Sequence, residues 1–323
     1  MITAFGNPVF DLIKTPRVDT KERILSGCST NAVLALNKLG EKTRLIGAVG
    51  DNYRGRFEKE MSARGIEFIV IDSKESGGFS LNYYDDQGNR TLDLLGKAAD
   101  ITNINPEWYQ DSQAVLIGPI LGELSCGEIK RIRKNFDGLF FCDAQGLLRG
   151  VDSDGRITHS KPDGIEDCLG QFDVVKPNEL EGKILTGIDC RTDPHGAAKM
   201  IHGWGCKVVL LTLAELGAVV YDGTECVDIP PDKIKQPTAV PAFEVDLIDS
   251  TGAGDTSMAG FTYEYLRTND IVKSACFAGA TSSIMIENVG PDFEMTEQMV
   301  RERAGKLLEK IERGWDIDLS IQS

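Results

Sequence analysis

Short, almost wholly apolar segments separated by helical patterns run through most of this chain, and no other feature limits its fold as strongly. "ITAF", "TRLIGAVG", "IEFIVID", "AVLIG", "GLFFC", "FDVVK" and "KVVLLTL" each read as a buried strand. Between them lie stretches such as "STNAVLALNKLG", with Ser29 or Thr30 as N-cap and Gly40 as stop, "YRGRFEKEMSARG", "ELSCGEIKRIRKNF" and "PHGAAKMIHGW". Strands that are apolar on both faces and alternate with helices predict an α/β fold with a mostly parallel central sheet covered on both sides. The expected architecture is a three-layer core.

Two segments depart from this rhythm. Residues 9–25 and 78–97 show period-two patterning, with a turn signal at "DDQGN". They predict antiparallel strands with one wet face, forming a small β-sheet lid on a core of residues 1–8, 26–77 and 98–323. Surface hairpins are the plainer reading of the same pattern. Residues 149–170 are polar and rich in Gly and Asp, and read as a loop or hairpin insertion. The amphipathic run 296–312 predicts a helix on the outside of the core.

Charge and cysteine usage remove several function classes. The 50 Asp and Glu against 35 Lys and Arg leave a formal charge of −15, a poor basis for binding nucleic acid or an anionic membrane. The eight cysteines contain no Cys-x-x-Cys pair and there are three histidines, so a zinc or iron–sulfur site is not expected. The N-terminus lacks a signal-peptide pattern and no long apolar run predicts a membrane span, so the expected setting is the cytoplasm, with reduced thiols.

The chemistry concentrates in "DLIDSTGAGDTSMAGF". Gly252, Ala253 and Gly254 lead into a helical run, with Asp255 in its first turn. The first N–H groups of a helix have no internal partner and carry partial positive charge, and small residues let a phosphate approach them. Asp255 is a good capping residue on its own. Capping does not account for three small residues before it. A carboxylate beside an anion pocket is suited to taking a proton from a hydroxyl that attacks a phosphoryl group. The chain has no G-x-x-x-x-G-K-[ST] loop, Ser257 stands where G-x-G-x-x-G needs its third glycine, and the protein-kinase motifs are absent.

"DSTGAGDTSMAGF" resembles the C-terminal signature of the ribokinase-like (PfkB) carbohydrate kinases, D-T-x-G-A-G-D. "SGCSTNAVLALNKLGEKTRLIGAVGDNYRGRF" resembles their N-terminal signature, and "VVKPNELEGKILTG" their N-x-x-E segment. The resemblance implies a Rossmann-like (ribokinase-like) α/β core with a small β lid, and ATP- and Mg²⁺-dependent phosphorylation of a hydroxyl on a sugar or polyol, or on a nucleoside. A non-catalytic sugar- or nucleotide-binding protein is the alternative from another class. By position it makes Asp255 the base, Gly252, Ala253 and Gly254 the anion hole, and Asp11, Gly27 and Asn31 the acceptor ligands. Asn178 and Glu181 would organise magnesium through water, although an N-cap and a first-turn acid explain the pair equally. Thr212 and Gly217 would meet the nucleotide phosphates or ribose. Gly279 and Ser283, with Ala278, would flank the adenine, although small residues on a helix also serve packing. The region of Asp249 matches one that binds a monovalent cation such as K⁺ in some relatives.

Departures from the pattern are Ser26 at the first position of the usual Gly-Gly pair and Ala214 at the middle glycine of the nucleotide loop. Asp143, Gln145 and Arg149, after a strand, are placed to reach the cleft. Lys97 reads as an acceptor or phosphate contact, or as a solvated surface lysine. Tyr83 and Tyr84 read as stacking groups or as the apolar face of the lid. An exposed lid sheet implies a homodimer through that sheet.

Overall fold

The computed structural model describes residues 1–15, 19–83, 90–231, 251–288, 290–317 and 319. The "DDQGN" turn, Tyr84 and Asp249 lie outside the described residues.

The chain opens with β1 (Ile2–Phe5), β2 (Val9–Lys14), β3 (Ile24–Ser26) and α1 (Cys28–Lys38). Next come β4 (Thr43–Gly50), α2 (Arg54–Ala63), β5 (Glu67–Ser73), β6 (Gly78–Tyr83) and β7 (Arg90–Gly96). β8 (Ala114–Ile117), α3 (Cys126–Lys134), β9 (Leu139–Asp143), β10 (Arg149–Val151), β11 (Ile157–His159) and α4 (Ile165–Leu169) follow. β12 (Val174–Lys176), α5 (Glu179–Thr186), α6 (Pro194–His202), β13 (Val208–Thr212), β14 (Ala218–Tyr221) and β15 (Cys226–Ile229) complete the strands among the described residues. Three helices close the chain: α7 (Ala253–Thr268), α8 (Ile271–Met285) and α9 (Glu297–Glu312).

Nine strands form the central sheet in the order β15-β14-β13-β12-β9-β8-β1-β4-β5. Every pairing from β13 to β5 is parallel, and β14 and β15 add an antiparallel edge. Successive residues of a strand face opposite sides, so both sides must be apolar. Ile2, Ala4, Leu116, Phe141 and Val174 pack with α1, α7 and α8 on one face. Phe5, Val115, Ile117, Phe140 and Val175 pack with α3, α5 and α6 on the other. This is the expected three-layer α/β core. All eight cysteines are free thiols, six of them buried.

The chain leaves β1 toward β4 on one side and returns to β8 on the other. The strand order therefore reverses beside β1, and ligands of open α/β sheets bind at the carboxyl ends of strands at such a point. Ser29 at the start of α1 fixes the geometry there. Its hydroxyl donates to Phe5 O at 2.7 Å and to Gly118 O at 3.1 Å, joining the ends of β1 and β8.

The small sheet has the order β3-β2-β6-β7. Its outer pairs are antiparallel, as patterning predicts, but β2 and β6 pair in parallel, Leu12 opposite Ser80. Both strands leave the core in the same direction, which local patterning cannot reveal. Residues 149–159 form a hairpin, β10–β11, and Arg156 bridges Asp93 on β7. Ile157 packs on the apolar cluster of the small sheet, so the insertion extends it.

Candidate active site

The site is built around the start of α7. Gly252 adopts φ 85°, ψ 0°, a left-handed conformation that glycine takes without strain, and it caps the helix without a side chain. The first bond of the ladder is Thr256 N–H to Gly252 O at 2.9 Å. The amides of Ala253, Gly254 and Asp255 come before it, at the positive end of the helix dipole. A Cβ on Gly252 would stand 2.9 Å from Asn31 Nδ2, so the glycine is also needed for close approach. Asn31 lies in the first turn of α1 and donates from Nδ2 to Asp255 Oδ2 at 2.8 Å. Burial, and after it the charge of Asp143, push the Asp255 carboxyl above its ordinary range, while Asn31, Lys176 and Cys28 pull it back.

A buried charge cluster backs this turn. Lys176 ends β12 and is 2% exposed, and its Nζ lies 3.0 Å from Asp143 Oδ2 at the end of β9. A Cβ on Gly254 would come within 3.2 Å of that ammonium, so the cation sits against the anion turn. Burial disfavours the charged lysine, but Asp143 and Glu181 outweigh it and raise the pKa above the ordinary value. Glu181 is 3% exposed. Burial first, then Asp143, push its carboxyl up to about 7, against the pull of Lys176 and the Asn178 amide.

Asn178 and Glu181 form a reciprocal capping box at the start of α5. Asn178 N–H and Nδ2 donate to the two Glu181 oxygens, each at 2.8 Å, and Glu181 N–H donates to Asn178 Oδ1 at 2.9 Å. Each carboxylate oxygen keeps a second lone pair for water. One carboxylate and one amide, both oxygen donors, suit a magnesium ion that keeps its waters and is held mainly by phosphates. Among the described residues, no group of three or more His, Cys, Asp or Glu could hold a metal directly.

Of the residues expected to bind the acceptor, Asp11 lies in β2, 3% exposed, and its Oδ1 accepts Phe79 N–H from β6 at 2.8 Å. Gly27 (φ 117°) caps α1, and a Cβ there would stand 2.9 Å from Asn7 O. From Asn7 a cleft opens between the small sheet and the core, lined by Val9, Phe79, Lys97, Ile120, Leu121 and Glu123. Glu123 is 2% exposed, and its carboxylate accepts N–H groups of Asn7, Ile120 and Leu121 at 2.8–3.0 Å. It clamps the loop after β8 onto the loop after β1 and so fixes the cleft floor.

Of the residues expected to bind the nucleotide, Thr212 ends β13, donates its N–H to Pro177 O at 3.0 Å, and forms a parallel bridge with Asn178. Gly217 has φ 95°, and a Cβ there would meet Ile229 O at 2.1 Å. Ala214 keeps a positive φ of 49°, the conformation the usual glycine would supply. Gly279 and Ser283 pack toward α9: a Cβ on Gly279 would stand 3.3 Å from Leu307, and Arg303 Nη1 donates to Ser283 Oγ at 2.9 Å. The neighbouring Ser282 reaches the turn instead, donating to Ala253 O at 2.7 Å.

The structure thus gathers Asp255, Gly252, Ala253, Gly254 and Asn31 at one point, with Asn178 and Glu181 beside them through Lys176. Sequence reasoning passed over Lys176, Glu123, Ser282 and Cys28, whose Sγ accepts Gln145 Nε2 at 2.9 Å. The signal for Lys176 is a cation at the end of an otherwise apolar buried strand, "VVK".

The profile of the pfkB family carbohydrate kinases matches residues 9–298, and the chain belongs to that family. It is 26% identical over 274 residues to the cytidine kinase of Thermococcus kodakarensis, covering 82% of this chain and 88% of that one. To the ribokinase of Haemophilus influenzae it is 28% identical over 271 residues, covering 82% and 81%. Among solved structures, a pyrophosphate-dependent kinase of the ribokinase family, complexed with a pyrophosphate analog and myo-inositol, superimposes with TM-score 0.76 at 23% identity. That match covers 94% of this chain and all of the other. The protein is a sugar or nucleoside kinase of the ribokinase family with its fold.

Proposed function

We propose that the protein transfers the terminal phosphoryl group of ATP to a hydroxyl of a small sugar or polyol, with Asp255 as the general base. The observation that carries this reading is the Asp255 carboxylate held by Asn31 at 2.8 Å in the same helical turn as the exposed amides. Asp255 takes the hydroxyl proton. The acceptor oxygen forms a bond to the terminal phosphorus as the bond to the bridging oxygen breaks, and that electron pair leaves with ADP. The amides of Ala253, Gly254 and Asp255, with the Lys176 ammonium behind them, hold the charge on the moving group. Asp11, Gly27 and Asn31 orient the acceptor, and Thr212 and Gly217 contact the nucleotide. Asn178 and Glu181 would hold a magnesium ion through water, and the ion would supply positive charge to the phosphates.

A nucleoside acceptor is the second reading. The apolar wall of Val9, Phe79, Ile120 and Leu121 offers a face to a base, and the Thermococcus relative is named a cytidine kinase. The test is ATP consumption with ribose, myo-inositol, fructose and cytidine. Turnover of a sugar or polyol supports the first reading, and turnover of cytidine alone replaces it with the second. No turnover of any would count against both.

A further inference from the structure

Tyr83 ends the lid strand β6, and its hydroxyl lies 2.6 Å from Thr251 Oγ1, 168 residues away in the chain. Thr251 immediately precedes Gly252, where the anion turn begins. Phe79, Leu81 and Tyr83 share one face of β6 and are 3%, 4% and 5% exposed. The near end of that face lines the acceptor cleft, where Asp11 holds the Phe79 amide. Its far end touches the donor turn. A single strand therefore runs from that cleft to the start of α7.

The turn depends on outside contacts for its shape. Gly252 supplies no side-chain cap, and glycine is the least restricted residue that can stand there. Asn31 and Ser282 hold the turn from the core, at Asp255 and at the Ala253 carbonyl. Tyr83 holds it from the small sheet. We infer that Tyr83 is a positioning residue that couples acceptor occupancy to the anion turn. An acceptor that packs on β6 through Asp11 and Phe79 steadies the Tyr83–Thr251 bond already in place, and with it the three amides presented to the donor as a set. By linkage, donor and acceptor each tighten the other's binding by the same factor. This inference rests on the kinase reading above. Tyr83 also packs with Val9, Ile13 and Leu121 in the lid's apolar cluster, so the test must remove the hydroxyl and keep the ring.

The experiment has two arms. The first needs no substrate: amide hydrogen exchange over residues 251–258 of the full chain, in the parent protein, Tyr83→Phe, Thr251→Val and the double variant. A lost hydrogen bond of ordinary strength predicts exchange about fivefold faster in each single variant. The double variant should show an increase smaller than the product of the two single effects, because the two changes share one contact. Thr251→Ser, which keeps the hydroxyl, should retain parental protection. The second arm measures the affinity of a non-hydrolysable ATP analogue with Mg²⁺, with and without the acceptor turned over fastest in the panel above. In the parent the acceptor tightens the analogue several-fold, and in Tyr83→Phe that factor falls toward one. Unchanged exchange in Tyr83→Phe, or undiminished coupling, overturns the inference. A panel with no turnover would count against the acceptor readings above and against the coupling that rests on them, while the exchange arm would still decide whether the hydroxyl holds the turn.

Discussion

Replacing Lys176 by methionine keeps most of the side-chain volume and removes the ammonium from a cluster of carboxylates. The side chains of Lys176 and Asp143 are 3% and 7% exposed and 3.0 Å apart. Removing one partner of a buried pair leaves an uncompensated charge and costs about 3–5 kcal/mol. For a domain of this size, about 2 °C per kcal/mol gives a melting temperature lower by about 6–10 °C at pH 8. The deficit should shrink at pH 5.5. Lys176, with its raised pKa, stays charged at both pH values in the parent. Glu181 titrates near 7, so it is mostly neutral at pH 5.5 and ionised at pH 8, and only at the higher pH does its charge add to that of Asp143. Adding Asp143→Asn to the variant removes the orphaned acid and should recover about half of the loss. Calorimetric melts of the three proteins at both pH values decide the matter. A Lys176→Met protein melting within about 2 °C of the parent at pH 8, or losing more at pH 5.5, would refute the reasoning.

Glu181→Gln should stabilise the ligand-free protein at pH 8 while slowing turnover at least about tenfold. A carboxyl raised from 4.5 to about 7 on folding contributes stability present below its unfolded pKa and lost as pH rises through its folded one. That loss is about 3 kcal/mol, offset by about 1 for a weakened hydrogen bond, so melts from pH 5 to 9 should fall for the parent and stay flatter for the variant. Gly252→Ala forces a Cβ into a left-handed conformation and to within 2.9 Å of Asn31 Nδ2. It should cost about 1–2 kcal/mol in denaturant titration and pull Asn31 off Asp255, and a turnover number equal to the parent's would contradict that geometry.

The layered core is legible in the sequence because buried parallel strands must be apolar on both faces, and "TRLIGAVG" or "KVVLLTL" has few other uses. The turn at Gly252 is legible because its parts are local, with Gly252 to Asp255 supplying helix-start amides and a carboxylate in one stretch. What escaped depends on contacts between distant segments. Lys176 gains its meaning from Asp143 on a neighbouring strand, and Glu123 from three amides on two loops. The parallel pairing of β2 with β6 reflects how two excursions leave the core. On α8 a step of about 100° per residue decides that Ser282 meets the anion turn while Ser283 faces Arg303. Apolar pattern alone does not fix that angle.

The central claim is that the Asp255 carboxylate takes the acceptor's proton, and its most direct test is the pH dependence of kcat in the parent and in Asp255→Asn. The parent's rate should rise through an apparent pKa above the ordinary aspartate value of 3.8, because burial and Asp143 favour the neutral acid. Asp255→Asn should lose about 10²-fold or more in kcat and show no such rise, while binding the ATP analogue as before. An Asp255→Asn protein that keeps the parent's kcat and acid limb would contradict the account.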